Sequence, residues 1–212
     1  MEGRYDDDRA YVYTYGTSSG EAVGPDEIRS LLALRLAPSV DNGIIGDFGT
    51  RELVNRMQLV LNSCEVNSEG EFFVELVLNP RVSFDATWQN ISGSGGKLDG
   101  AGGTSLAQFC DFTTQGLSGG KIGAQVFGGE VIYGFYAGAG VSSYDLSKVK
   151  EISNCILGGG TSVFSSAQPP NPNGMFPDGP EVLAFRVKNI TVGGGNNDKA
   201  IDIRISWTEA QA

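Results

Sequence analysis

Histidine is absent from the 212 residues of this chain. Ser-His-Asp catalysis, Cys-His catalysis and every zinc site that uses imidazole are therefore excluded. Paired carboxylates, lysine or tyrosine can still support catalysis without histidine. The absence thus argues against an enzyme but leaves a His-free hydrolase as a remote alternative.

Cysteine is scarce. Cys64, Cys110 and Cys155 are far apart, and no Cys-x-x-Cys pair occurs. An odd number of widely spaced cysteines favours reduced, buried thiols in a protein made in a cytosol. A disulfide framework is the less favoured alternative.

Basic residues are also few, because Lys and Arg number 15 against 25 Asp and Glu. The net charge is −10 and the isoelectric point is near 4.4. An acidic surface repels phosphate backbones and anionic lipids, so we expect no nucleic-acid or membrane partner. No apolar run approaches the roughly 18 residues of a membrane helix. The N-terminus is polar and acidic, unlike a signal peptide.

Glycine, by contrast, is abundant, with 31 residues. Residues 93–103 are mostly Gly, and residues 165–180 hold five of the eight prolines. Such segments pack few side chains and cannot continue a helix or a strand. They predict two long, irregular loops.

Most of the remaining chain alternates apolar and polar residues with a period of two, which predicts strands. Residues 53–61 and 72–78 show it most clearly, and the Asn-Ser-Glu-Gly between them predicts a β-hairpin. Further strands are predicted over residues 11–15, 82–91, 107–113, 124–137, 181–190 and 201–207, with a bulge at Gly128 and Gly129.

Two short helices are predicted as well. Pro25 followed by two acids resembles a helix start, and Ile28, Leu31 and Leu32 fit one helical face, so we expect a helix over 25–35. Asp145 could cap a second helix over 146–157 with a stripe of Leu146, Val149, Ile152 and Ile156. The fold class is therefore mainly β: an antiparallel β-sandwich, with a jelly roll as its specific form, two short helices and long Gly/Pro loops.

Several motifs resemble catalytic or ligand-binding signatures, but each lacks a residue or a spacing that the signature requires. Residues 16–20 fit Gly-x-Ser-x-Gly, but that motif needs a base, normally histidine. The Gly-Lys pairs at Lys97 and Lys121 lack the upstream glycine and the following Ser or Thr of a phosphate loop. The acids Asp6, Asp7 and Asp8 lack the spacing of a calcium loop. We expect no catalytic residue and no metal ligand.

Five sequence blocks together resemble virion structural proteins of tailed phages that infect marine cyanobacteria. They lie at residues 53–59, 126–135, 145–160, 176–183 and 203–212. The C-terminal block, Ile-Arg-Ile-Ser-Trp-Thr-Glu-Ala-Gln-Ala, resembles the ending of such proteins. The resemblance covers residues 51–212, expected to form the β-sandwich module. Residues 1–50 remain as an N-terminal arm with a short helix.

The resemblance implies a structural component of a virion, made in the host cytoplasm, without enzymatic activity or cofactor. A head-surface decoration or a short fibre is the first expectation. A neck, tail or baseplate component, or the carbohydrate-binding tip of a host-recognition fibre, is the alternative. The expected partners are other virion proteins and further copies of the chain, with a trimer as a common arrangement. A host surface glycan is a further expected ligand of the fibre alternative.

The N-terminal arm is the expected attachment segment, because aromatic residues are enriched at interface cores. The candidate assembly contacts are listed here in chain order: Tyr5, Asp6, Asp7, Asp8, Tyr11, Tyr13 and Tyr15. Two other interpretations stay open. The arm could complete the protein's own sheet as an extra strand, or its tyrosines could form a row that stacks on sugar rings.

Overall fold

Two antiparallel sheets, packed face to face, form the body of the protein. The structure is a computed structural model, and it describes residues 12–17, 20–36, 39–40, 53–54, 57–82, 86–91, 105, 107–113, 125–148, 157–158, 181–192 and 198–211. Every ladder between the strands of this described part is antiparallel. The expected mainly-β, sandwich-like architecture is confirmed.

Sheet A contains six strands around a long central pair. Their bounds are β1 Val12–Gly16, β2 Glu21–Val23, β6 Met57–Ser68, β13 Gly140–Asp145, β14 Leu157–Gly158 and β16 Lys199–Gln211. The main order is β1-β16-β6-β13, with β2 also paired to β16 and β14 to β6.

Sheet B also contains six strands, in the order β12-β7-β15-β3-β10-β9. Their bounds are β3 Ile28–Leu36, β7 Phe72–Leu78, β9 Gln89–Asn90, β10 Ala107–Asp111, β12 Glu130–Ala137 and β15 Val182–Asn189. Two short ribbons complete the strand set: β4 Ser39–Val40 with β5 Leu53–Val54, and β8 Arg81–Val82 with β11 Val126–Phe127.

The core lies between the sheets, where the alternate apolar residues of each strand point inward. Sheet A contributes Leu59, Val66, Ile203 and Trp207, and sheet B contributes a matching layer. That layer is Leu32, Leu34, Phe72, Val74, Leu76, Phe185 and Val187. Burial of these side chains is the main stabilising contribution to such a fold.

Eight of the strands follow a nested pairing rule. Numbered from one to eight along the chain, they are β1, β3, β6, β7, β12, β13, β15 and β16. The first pairs with the eighth, the second with the seventh, the third with the sixth and the fourth with the fifth. Sheet A therefore runs 1-8-3-6 and sheet B runs 2-7-4-5.

The helix predicted over residues 25–35 is wrong, because this segment is strand β3. Asp26 has a φ of 59°, a left-handed conformation that breaks a helical start. The run Leu31-Leu32-Ala33-Leu34 is apolar throughout because sheet B is covered on both faces here. A short run of this kind fits a helix and a doubly covered strand equally well.

The helix predicted over residues 146–157 is not supported either. Leu146–Lys148 form a single 3-10 turn, and Leu157 belongs to β14. Leu146 is buried as expected, but Val149, Ile152 and Ile156 lie outside the described residues. The predicted loops at 93–103 and 165–180 also lie outside them.

The predicted hairpin over residues 53–78 has the right strands but the wrong pairing. β6 belongs to sheet A and β7 to sheet B, so the chain crosses the sandwich between them. Each strand buries one apolar face whether the two strands pair in a hairpin or lie in opposite sheets. The local sequence therefore does not distinguish the two arrangements. Similarly, the predicted bulge at Gly128-Gly129 is a break between β11 and β12, and both glycines have positive φ.

Candidate assembly surface

The N-terminal tyrosine strand is part of the sandwich. β1 pairs with β16 along its full length, from Val12 opposite Thr208 to Gly16 opposite Arg204. Tyr13 is only 5% exposed, and its ring stacks on Trp207 with centroids 6.0 Å apart. The first fifty residues therefore supply strands to both sheets through β1 and β3.

Tyr15 also faces inward, and its ring centroid lies 3.7 Å from that of Phe109 in the opposite sheet. The inward position of Tyr13 and Tyr15 matches the interpretation of this segment as an extra strand of the protein's own sheet. Neither ring is presented as a row for sugar stacking. The other candidate contacts, Tyr5, Asp6, Asp7, Asp8 and Tyr11, lie outside the described residues.

The described thiols lie in the core. Cys64 and Cys110 are buried and form no disulfide, while Cys155 is outside the described part. Burial raises the pKa of the Cys64 thiol, and the neighbouring Glu65 carboxylate adds to the effect. A thiol held protonated is a poor nucleophile and a poor metal ligand. Within the described residues, no three Cys, Asp or Glu side chains form a group that could hold a metal ion.

A polar cluster lies near β2 and the ends of β3 and β10. Asp111 is buried and accepts hydrogen bonds from the backbone N–H and the hydroxyl of Thr113. Arg29 forms an ion pair of 2.6 Å with Glu27. Desolvation raises the pKa of Glu21, with Glu27 and Asp111 acting in the same direction and Arg29 opposing them. The hydrogen bonds and the ion pair each join residues two positions apart in the chain, which is a local structural role.

One half of the outer face of sheet B is covered by a second apolar layer. Ala33, Cys110 and Ala184 on this face pack under Val126, with Phe112, Val82 and Trp88 around them. The Arg35 guanidinium lies 4.1 Å from the centre of the Trp88 ring and donates to Gln108. Desolvation lowers the pKa of Arg35 to about 10, although the nearby Cys110 opposes the shift. This half of the face is therefore part of the interior.

The other half of that face carries an open row of four side chains across four strands. Tyr136 on β12 lies opposite Phe73 on β7, followed by Lys188 on β15 and Ile28 on β3. The rings of Phe73 and Tyr136 are 5.1 Å apart. Phe73 leans over Gly134, where a Cβ atom would lie 2.7 Å from its ring. Tyr136 is 71% exposed.

The charges around this row are mutually paired. Arg186 binds Glu75 through two nitrogens, at 2.6 and 2.8 Å. Lys188 lies 3.1 Å from Asp26. The row is therefore locally neutral on a chain of net charge −10, with two aromatic rings, one aliphatic side chain and one paired lysine. It has the aromatic content of an interface core without unpaired charge.

Sequence reasoning missed this row, although a signal was present. Phe72-Phe73 and Phe135-Tyr136 are adjacent aromatic pairs in strands, so one ring of each pair must face away from the core. Phe72 and Phe135 are the buried members. Only the pairing of β12 with β7 shows that the two outward rings meet.

The outer face of sheet A has a different character. Its rows carry short polar side chains, such as Ser63 and Ser206, whose hydroxyls are 2.7 Å apart. Asn67 donates to Asp202 on the same face. No aromatic ring is exposed on this face in the described part of the chain, so it offers no platform for stacking.

Comparison with protein-family models, with curated proteins and with solved structures finds no match to this chain. No helix within the described segments is long and apolar enough to cross a membrane.

Proposed function

We propose that the sandwich is a jelly roll and that the protein is a non-enzymatic structural component of a cyanophage virion. A head-surface decoration or a short fibre is the favoured location, with the neck, tail or baseplate as the alternative. The protein would act by burying surface against other virion proteins and further copies of itself. The sequence resemblance of residues 51–212 supports this assignment.

The observation that carries the proposal is the nested pairing of the eight strands. An order of 1-8-3-6 in one sheet and 2-7-4-5 in the other is that of a jelly roll, a ribbon of strand pairs wrapped around one core. Viral capsid domains and lectins commonly use this architecture. Fold alone does not specify function, so the strand order supports the virion role together with the resemblance.

The location test is made on intact particles. Mass spectrometry of purified virions, followed by immunogold labelling with antibodies to the recombinant chain, should place the protein on the head or on a short fibre. Its absence from purified virions would overturn the proposal. Light scattering on the pure protein would measure the subunit number and would distinguish a trimer, a common arrangement for virion components, from other oligomers.

A second candidate function is glycan binding at the tip of a host-recognition fibre. The exposed Tyr136 ring beside Phe73 favours it, because an accessible aromatic face next to paired charges can stack on a sugar. A glycan array would test it, with Tyr136→Ala as the variant that should lose binding. Binding that survives this substitution would exclude the row as the glycan site.

A further inference from the structure

One side of the sandwich exposes two consecutive edge strands. β12 ends the order of sheet B and β13 ends that of sheet A, and residues 138–139 join them. Within the described residues, each has one neighbour only: β7 for β12 and β6 for β13. On the opposite side the edges are shorter, since β9 has two residues and β1 has five, against eight in β12.

The β12–β13 edge has few of the features that protect sheet edges. Natural edges are blunted by lysine, proline, bulges or short strands. Residues 131–144 contain no charged residue and no proline. A register shift between Val131 and Tyr133 disturbs the start of β12, but Tyr133–Ala137 stay in regular register. In the described part of the chain no strand pairs with the free side of Tyr133–Ala137, so the alternate backbone groups on that side can meet a partner strand, although the Tyr136 carbonyl already accepts a hydrogen bond from Tyr144.

The same edge exposes apolar side chains. Val131 is 48% exposed, Tyr136 is 71% exposed and Val141 is 77% exposed. The Tyr144 hydroxyl donates to the Tyr136 carbonyl at 2.7 Å, which ties the edges of the two sheets together. A preformed edge loses less conformational freedom on association than a flexible one.

Charge indicates which partner suits this edge. Two copies of a chain with net charge −10 repel each other over most of their surfaces. They can approach closely only where local charge is absent or internally paired. Between Glu130 and Asp145, the two acids at its ends, the β12–β13 edge is uncharged, and the adjoining Glu75–Arg186 pair is already neutral.

We propose that a second copy of this chain docks on the β12–β13 edge, with the two β12 strands antiparallel across a twofold axis. Sheet B then continues from one copy into the other. The Tyr136 and Phe73 rings of both copies come together on the same outer face, because directly opposed residues in antiparallel strands point to one side. Such a contact is closed and self-complementary.

The inference rests on the proposed function only in that the chain acts as a homo-oligomer. A twofold contact requires an even number of subunits. Light scattering of the full chain over a range of concentrations should therefore show dimers or multiples of dimers. A trimer, or a monomer at all concentrations, would overturn it.

Hydrogen exchange on the unmodified protein locates the contact. Alternate amides of Tyr133–Ala137 face the free edge, and we expect their exchange to slow as the concentration rises. Amides of β1, at the other side of the sandwich, serve as the internal control. Oligomerisation without concentration-dependent protection in β12 would show that another surface is used.

A matched pair of substitutions gives an independent test. Tyr136→Lys should raise the dimer dissociation constant at least tenfold, because residue 136 is 71% exposed and lies close to its own twofold mate when the Tyr133–Ala137 segments pair. Val192→Lys adds the same charge at a residue that is 94% exposed and lies outside this edge, and it should leave the constant unchanged. Equal dissociation constants for the two variants would refute the edge contact.

The outcomes separate this inference from the proposed function. If the edge variant dissociates but the chain is missing from purified virions, the contact stands and the virion role fails. If the chain is found in virions but Tyr136→Lys leaves its oligomers intact, the virion role stands and the edge contact fails.

Discussion

At the residue scale, Tyr13 shows that the alternation of residues along a strand predicts which side chains share a face but not what that face contacts. The period of two places Tyr13 and Tyr15 on one face, and the structure confirms that both share a side of β1. Whether that side is a core or an interface depends on distant parts of the chain, because Tyr13 stacks on Trp207 of the neighbouring strand and Tyr15 packs on Phe109 of the opposite sheet. A pattern within five residues contains no information about them.

The first prediction concerns Tyr13. Tyr13→Ala should lower the free energy of unfolding by about 3 kcal/mol, since it removes a buried ring that packs on Trp207. Urea denaturation measures the change. Val192→Ala, at an exposed position, should change it by less than about 0.5 kcal/mol. A fully stable Tyr13→Ala protein would show that the ring is not a core element.

The second prediction concerns Glu21, whose pKa is raised above 4.5, mainly by burial. Well below pH 4.5 the carboxyl is protonated in both the folded and unfolded states, and its burial then carries no ionisation cost. As the pH rises through the folded pKa, ionisation is less favourable in the folded protein, so stability is lost. Glu21→Gln should therefore raise the melting temperature at pH 7 and have little effect below pH 4.

Thermal unfolding at both pH values measures this difference, and Glu71→Gln, at an exposed position, controls for the loss of one negative charge. A Glu21→Gln variant that melts below the unmodified protein at pH 7 would contradict the prediction.

At the scale of elements, strands were predictable where one face meets the core and the other meets solvent. β7 and β16 fit this case, and their predicted positions are confirmed. β3 is the exception, because a second apolar layer covers its outer face and removes the alternation. The pairing partner of each strand was less predictable still, as β6 and β7 show. A strand with one apolar face buries that face whether it pairs with the next strand in a hairpin or packs against it from the opposite sheet.

The third prediction concerns the break between β11 and β12. Gly128 and Gly129 both have positive φ, but an added Cβ meets nothing at Gly128. At Gly129 it would lie 2.8 Å from the Leu78 carbonyl oxygen and 2.8 Å from the Pro80 Cα. Gly128→Ala should cost about 1 kcal/mol for its left-handed backbone. Gly129→Ala should cost about 3 kcal/mol, because backbone atoms must also move.

Chemical denaturation of the two variants separates strain from contact, because they share the backbone conformation. Equal losses of stability would show that the close approach of Gly129 to β7 contributes nothing.

At the scale of the whole molecule, the class of fold followed from composition and periodicity, while the connection of the sheets did not. The strands β1 and β16 are adjacent although about 190 residues separate Thr14 from Ile205, its hydrogen-bond partner. Nothing in either segment specifies the other beyond a shared need to bury one face. The surface proposed for assembly has the same origin, because β12 becomes an edge only through the order of all the other strands.

The last prediction tests whether the N-terminal segment is core or attachment device. Deleting residues 1–17 removes β1, uncovers one edge of β16 and empties the space filled by Tyr13 and Tyr15. We expect that protein to unfold or aggregate, as judged by circular dichroism and light scattering. Deleting residues 1–10 keeps β1 and should leave the melting temperature within a few degrees.

The shorter deletion also isolates the candidate contacts Tyr5, Asp6, Asp7 and Asp8 from the strand that follows them. If the protein lacking residues 1–10 stays folded but no longer joins particles, these residues form the attachment device. If it joins particles as well as the full chain does, attachment must use another part of the chain, and the segments 92–103 and 165–180 are the first candidates. A folded protein after deletion of residues 1–17 would contradict the structural role of β1, because an edge strand that buries two aromatic rings cannot be removed without cost.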